Sequence, residues 1–517
     1  VRFAITLGLV LAGCGSTSSN VDVPDSAPPP PPGDDAGDAG NAPLAIAAGD
    51  VAELTVTNGV AGGTFATPSG KEQLVVVIAS TRLDTSGDEL AWSIDTTKAP
   101  DGANATIATG CSMTSAPWSS TVVPPETPPS GTTTVIVGDT RTFHAPTPTG
   151  FEDITVQALA VGAHSIVWAD TTAAHPAVLD PAFVTQFLSD FDNTILPRER
   201  TVFGIESDLD GDGHIGLVFT PLTYKTSVAF FSGCDLVSFK GCATKNGGEF
   251  LWLTPPNAID PPYNTPNAIK EILAHETSHL VHFNRKVLRN SLTTWPDSEA
   301  MIEGVGGFAQ DVIGPQAGNL YVAMAGLDGI KDFSLGDLIV DSAAYDSARD
   351  GVVRGGSYLF VRWLYDRAGG DAIDAAGTIT GKGGIALLRA LLDVKDSIAT
   401  TLATKATLAD VTTDFYTTLA MSNQNEAGGA APTNSCFAYL PVVTDPITKT
   451  PHGADPHETF HGMQMNGPAI SQAKSGQVRA GGVAYVSAPA KSGTDSLALT
   501  VKVDTKAAPR VRVGRIK

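Results

Sequence analysis

Apolar and polar positions follow three different rhythms along the chain. From about residue 48 to 145, apolar residues come in short β-branched runs such as Leu74-Val75-Val76-Val77-Ile78 and Thr133-Thr134-Val135-Ile136-Val137. Clusters of Gly, Pro, Ser and Asp, Pro124-Pro125 and Pro128-Pro129 among them, punctuate these runs. Helical spacing is absent there, and short strands bounded by turn residues predict a β-sandwich. From about 150 to 425 the rhythm changes. Strand-like Ile215-Gly216-Leu217-Val218-Phe219 and Phe250-Leu251-Trp252-Leu253 precede helical spacing at 266–285 and 298–313, with more at 356–367, 383–393 and 408–420. From about 430 the chain returns to strands and turns and ends in the alternation Val511-Arg512-Val513. These rhythms predict a multidomain protein: an α+β domain over 148–428, flanked by β-sandwich-like domains over 48–147 and 429–517.

The first 47 residues lie outside these patterns. Arg2 precedes an apolar run from Phe3 to Leu11, far shorter than the roughly 20 residues of a membrane span. It fits a secretory signal, and Leu11-Ala12-Gly13-Cys14 resembles the bacterial lipoprotein signal, in which the peptide is cut before a Cys that is then lipidated. Residues 1–13 are therefore expected to be removed and Cys14 to carry the lipid. Residues 14–47 then form a tether, because Ser, Pro, Asp and Gly, with prolines at every position from 28 to 32, cannot build a core. The expected location is the cell envelope of a bacterium, at the outer membrane or cell surface, held by the lipid alone.

Composition narrows the function. A net charge of −21 argues against nucleic acid, whose phosphates need a basic face. A 42% apolar fraction can fill sizeable cores. Beyond Cys14 remain Cys111, Cys234, Cys242 and Cys436, an even number in a chain read as exported, so disulfides are expected. A short loop closes Cys234–Cys242, which leaves Cys111–Cys436. A monomer is expected.

The chemistry concentrates in His275-Glu276-Thr277-Ser278-His279, an HExxH sequence. Histidines four apart on a helix share a face and can reach one zinc ion. Glu276 stands beside them as the general base for a zinc-bound water, whose pKa the metal lowers to about 7. Thr265 and Pro266 supply an N-cap and a first-turn proline. Catalytic zinc needs a third protein ligand. His282 and Arg285 occupy the Gly and last His positions of the metzincin pattern, so that option fails, and His282 is read as a residue that supports the ligands from behind or lies on the surface. A Glu on the next helix is the alternative. Glu299 and Glu303 follow His279 by 20 and 24 residues and share a helix face. Glu303 is preferred, because Gly304, Gly306 and Gly307 after it suggest a close backbone approach. Glu299 stays open.

The run Leu273-Ala274-His275-Glu276 through Phe283 to Leu288, and then Ile302-Glu303-Gly304 through Phe308 to Asp311, resembles the hyicolysin-type gluzincin metallopeptidases. Those carry a His-Glu-aromatic-x-His core and a Trp-Leu-Asn-Glu-Gly-Leu-Ala-like helix. Phe203-Gly204 to Pro221 and Gly248 to Leu253 are similar to segments before the active site in that family, so the resemblance covers about 200–370. It implies a zincin-like fold, His275, His279 and Glu303 as zinc ligands, and Glu276 as general base. Thr277 stands where the family has an aromatic, and Met301-Ile302 stand for Leu-Asn.

Three further features remain. Tyr358 and Tyr345 are candidates for stabilising an oxyanion, with ordinary packing the simpler reading of each. Asp208-Leu209-Asp210-Gly211-Asp212-Gly213 resembles the start of a calcium loop, but Phe219 stands where an EF-hand needs its Glu, and a polar turn is the simpler reading. Phe250 to Leu253 could be an edge strand on which a peptide substrate pairs. Together these readings predict a secreted, lipid-anchored zinc endopeptidase acting on polypeptides. The alternatives are a surface binding lipoprotein with a vestigial protease-like domain and a metal-dependent hydrolase of other bonds.

Overall fold

The computed structural model describes residues 42–517, except 85–86, 111–122, 124, 238–241, 243–244, 262, 316–317, 333, 340–349, 425–426, 458 and 461–462. The chain is a multidomain α+β protein with several sheets.

Two of these sheets face each other as a sandwich. One has the strand order Val483–Pro489, Gln73–Ser80, Pro509–Arg515, Val51–Leu54, Ala105–Ile107. The other runs Ser475–Arg479, Glu89–Asp95, Ser496–Val503, Val60–Ala66. Both sheets draw strands from both parts of the chain, which corrects the expectation of two separate β-domains. Gln73–Ser80 explains why: it pairs antiparallel with Val483–Pro489 on one side and Pro509–Arg515 on the other. Neither end could cover that strand alone. Its unbroken apolar text follows from burial on both faces. Leu74, Val76 and Ile78 enter the sandwich core, whereas Val75, Val77 and Ala79 enter the core shared with the helices.

The domain between the sandwich strands is built on a six-stranded sheet. Its order is Ala229–Phe231, Phe250–Leu253, Ile215–Phe219, Ser165–Asp170, Gly150–Val161, Thr140–Thr147. The expected boundary at 147/148 therefore falls inside the hairpin of Thr140–Thr147 and Gly150–Val161, whose register is continuous to Thr147 and Gly150. Thr133 to Val137 is not a strand; Val135 packs on the sheet, while Ile136 and Val137 are exposed. Phe250–Leu253 is not an edge either. It lies between Ile215–Phe219, parallel, and Ala229–Phe231, antiparallel, and the last is the edge strand. Leu217, Phe219, Leu251 and Leu253 turn toward the helices, and Val218, Phe250 and Trp252 toward the opposite core.

Helices α1 (Pro181–Asp190), α2 (Leu196–Val202), α3 (Pro266–Phe283), α4 (Glu299–Val312), α5 (Gly318–Asp328), α6 (Leu335–Ile339) and α7 (Asp350–Arg367) are followed by α8 (Gly384–Leu392), α9 (Ile398–Ala403) and α10 (Leu408–Met421). No helix among the described residues is long and apolar enough to cross a membrane. The sandwich meets the helices through α10: Tyr416 Oη donates to Gly481 O at 2.8 Å, Tyr485 Oη to Tyr416 O at 2.8 Å, and Arg512 pairs with Asp414 at 2.6 Å.

Candidate metal centre

Helix α3 starts where its sequence dictates. Thr265 Oγ1 accepts from Ala268 N at 3.2 Å and Pro266 opens the first turn. Such a cap stabilises a helix by about 1 kcal/mol. Nearly all of α3 is buried, so His275, Glu276 and His279 are held by packing on every side. Helix α4 is capped by Ser298, whose Oγ accepts from Met301 N at 3.1 Å.

The glycines of α4 fix how the helices meet. A Cβ on Gly306 would lie 2.5 Å from His275 Cε1 and Nε2, so the imidazole needs a glycine there. A Cβ on Gly304 would lie 2.7 Å from Ser357 Cβ, so it is α7 whose backbone passes closely. The glycines do not end α4, which continues to Val312.

His275, His279 and Glu303 come together with ligand atoms all within 4.8 Å of one another. His275 Nε2 stands 3.2 Å from Glu303 Oε2, and His279 Nε2 stands 3.8 Å from Glu303 Oε1. Ligand atoms around one tetrahedral zinc lie about 3.3 Å apart, given bonds of about 2.0–2.1 Å. Glu299, half-buried in the first turn of α4, is not in this group. The two rings meet edge to face at 4.6 Å. His275 Nδ1 is 3.3 Å from Gln310 Oε1, which directs Nε2 toward Glu303. The Nε2 atoms of both histidines are buried without a hydrogen-bond partner. Unsatisfied buried nitrogens are costly in a folded protein, and a metal ion is the partner this donor set suits.

Glu276 lies beside the cluster. Its Oε2 accepts from the backbone N–H of Phe231 at 2.9 Å, at the end of the edge strand. Burial pushes its carboxyl up to about 7, against the pull of His275. Burial and neighbouring His275 hold His279 neutral, well below the ordinary imidazole value. Burial works against ionising Glu303, but Arg354 and His275 hold it far below the usual carboxylate range. The Arg354 guanidinium, from α7, contacts Glu303 Oε2.

Other expected residues fall elsewhere. His282 is buried, 3.0 Å from Asp297 Oδ2 and edge-on to Trp295, away from the three ligands. Tyr358 Oη donates to Asp311 Oδ2 at 3.0 Å. Tyr345, Cys14 and Cys111 lie outside the described residues. Cys234 is bonded to Cys242, and Cys436 is also disulfide-bonded. Asp208, Asp210 and Asp212 form the other ligand group among the described residues. Their oxygens organise a turn: Asp208 Oδ1 accepts from Gly213 N at 3.0 Å and Asp212 Oδ1 from His214 N at 2.8 Å.

Three contributors were not legible in the sequence: Phe231 N–H, Gln310 and Arg354. A backbone donor leaves no side-chain signal. Gln310 is one amide among many. Gly355-Gly356 delays the expected helix to 356, which hid Arg354 inside a helix that in fact begins at Asp350. The chain matches no family model and no curated protein.

Proposed function

We propose that the chain is a zinc-dependent endopeptidase of the zincin type, exported and held by a lipid on Cys14. The observation that carries this reading is the convergence of two buried, unpartnered imidazole nitrogens with Glu303, directly beside the carboxyl of Glu276. His275, His279 and Glu303 would hold the ion. When bound, zinc supplies a Lewis acid for the scissile carbonyl and acidifies water at neutral pH. Glu276 takes the proton of the attacking water and passes it to the amine nitrogen as the C–N bond breaks. Burial gives Glu276 a proton affinity suited to both acts.

The sheet edge supports a polypeptide substrate. Thr254 N donates to Val228 O at 3.0 Å across the edge pair. By alternation the backbone groups of Ala229 and Phe231 then face outward. Phe231 N–H meets Glu276 on that side. An extended peptide pairing along this edge would present its carbonyl next to the general base. The resemblance to hyicolysin-type gluzincins points to the same ligand set.

The test uses purified, zinc-loaded protein and an unstructured polypeptide substrate. The parent cleaves it, and Glu276→Gln keeps its zinc but loses cleavage. A zinc-loaded parent that cleaves no peptide would refute the reading.

A further inference from the structure

Helices α3 and α4 run antiparallel, and their contacts form a ladder. His275 lies against Gly306, and His279 Nε2 faces Glu303 Oε1 at 3.8 Å. The next rung lies beyond the ligands, where His282 Nε2 stands 3.0 Å from Asp297 Oδ2. An ionised carboxylate can only accept, so the imidazole donates. His282 follows His279 by three residues, about 4.5 Å along the helix axis. Asp297 directly precedes Ser298, the N-cap of α4, so whatever holds its carboxylate holds the start of that helix. Its other oxygen accepts from Ile398 N at 2.6 Å, and Lys286 Nζ lies 3.7 Å from Oδ2.

Asp297 and His282 are both buried, and taking a carboxylate out of water is expensive unless its partners offset the cost. Capping does not call for this acid, because Ser298 already accepts from Met301 N. Packing does not call for it either, since apolar side chains fill a core at least as well as a buried polar pair. What a directional hydrogen bond adds is register. Gly306 sets how closely the two helices approach, and the His282–Asp297 bond sets where one stands along the other. That register matters at Glu303, because metal–ligand distances tolerate only about 0.2 Å. We propose that Asp297 is a positioning residue: through its hydrogen bond from His282 it fixes α4 along α3 and so holds Glu303 opposite the two imidazoles. This rests on the zinc reading above. Lys286 and Ile398 N serve the same end by keeping the carboxylate ionised and aimed.

The test uses the whole chain and three readings: zinc affinity by competition with a chelator, the visible spectrum of the cobalt-loaded protein, and denaturant stability without metal. Asp297→Asn keeps the shape and removes the charge. His282→Leu removes the donor, and His282→Gln returns an N–H at similar reach. Zinc affinity should fall at least about tenfold in Asp297→Asn and in His282→Leu, as when residues that orient metal ligands are changed. The double variant should lose little more than the weaker single, because both changes break one bond. Cobalt spectra of both singles should move toward that of Glu303→Ala, and His282→Gln should recover most of the affinity. A merely structural role would lower stability and leave zinc affinity and the cobalt spectrum at the parent's values, which would overturn the proposal. Losses that add in the double variant would overturn it too. Should Asp297→Asn fail to fold, His282→Leu against His282→Gln decides by the same readings. A parent that binds zinc while its variants bind it equally well defeats the proposal alone; a parent that takes up no metal defeats the zinc reading and the proposal together.

Discussion

The two ligand groups of this protein look alike on paper and differ in what their atoms still need. His275, His279 and Glu303 are buried, and the imidazole Nε2 atoms lack any hydrogen-bond partner. Asp208, Asp210 and Asp212 are equally close together but partly exposed, and their oxygens hold the backbone of their own turn. Proximity of ligands is thus common to both, and buried ligand nitrogens without a hydrogen-bond partner belong to one. Asp235 sharpens the contrast. Like Glu276 it is fully buried, with its carboxyl pushed up to about 7 by burial. Yet its oxygens are taken by Trp252 Nε1 and Asn246 Nδ2, which makes it a structural acid.

This contrast can be broken by substitution. The largest effect is expected from Glu276→Gln, which should lower peptide hydrolysis by about 10²–10⁴-fold with metal content intact. Steady-state kinetics beside metal analysis checks it; retained hydrolysis would mean another base.

Gly306→Ala comes next. In an ordinary helix this change stabilises by up to about 1 kcal/mol. Here the added methyl meets the His275 ring at 2.5 Å, so the ring must move. Metal affinity, measured by competition with a chelator, should fall by at least about tenfold, a loss of about 1.4 kcal/mol. Unchanged affinity would show that His275 is not held as described.

Asp235 gives a pH signature. Its folded-state value, about 7, lies above the ordinary carboxylate value. Its stability contribution is therefore full below about pH 4 and declines as pH rises toward 7. Denaturant melts between pH 5 and 7.5 should show stability falling with pH by roughly 1–3 kcal/mol from this group. Asp235→Asn should flatten that slope. A slope unchanged in the variant would place the titration elsewhere.

The smallest effect belongs to the aspartate turn. Asp210→Asn should change stability by less than about 0.5 kcal/mol, as surface changes do, and leave metal content untouched. Loss of a bound ion on that change would erase the contrast between the two groups.

What the sequence disclosed was local. The HExxH spacing, the Thr265 cap and the Cys234–Cys242 pair each depend on residues a few positions apart. Glu303 was legible through the glycines beside it, although they serve two partners, the His275 ring and α7. What stayed hidden was long-range. Val483–Pro489 lies beside Gln73–Ser80 across some four hundred residues, and no local pattern names that partner. Thr133 to Val137 has strand composition, but it lies between Gly131 and Gly138 and pairs with no strand among the described residues. Composition records a preference for strands, and a pairing partner decides whether one forms.

The account's central claim is that His275, His279 and Glu303 form one metal site. Its most direct test is the zinc content of the purified protein beside Glu303→Ala and Glu299→Ala. The account predicts one zinc per chain in the parent and in Glu299→Ala, and none retained by Glu303→Ala after dialysis. Zinc kept by Glu303→Ala and lost by Glu299→Ala, or a parent that takes up no zinc, would contradict it.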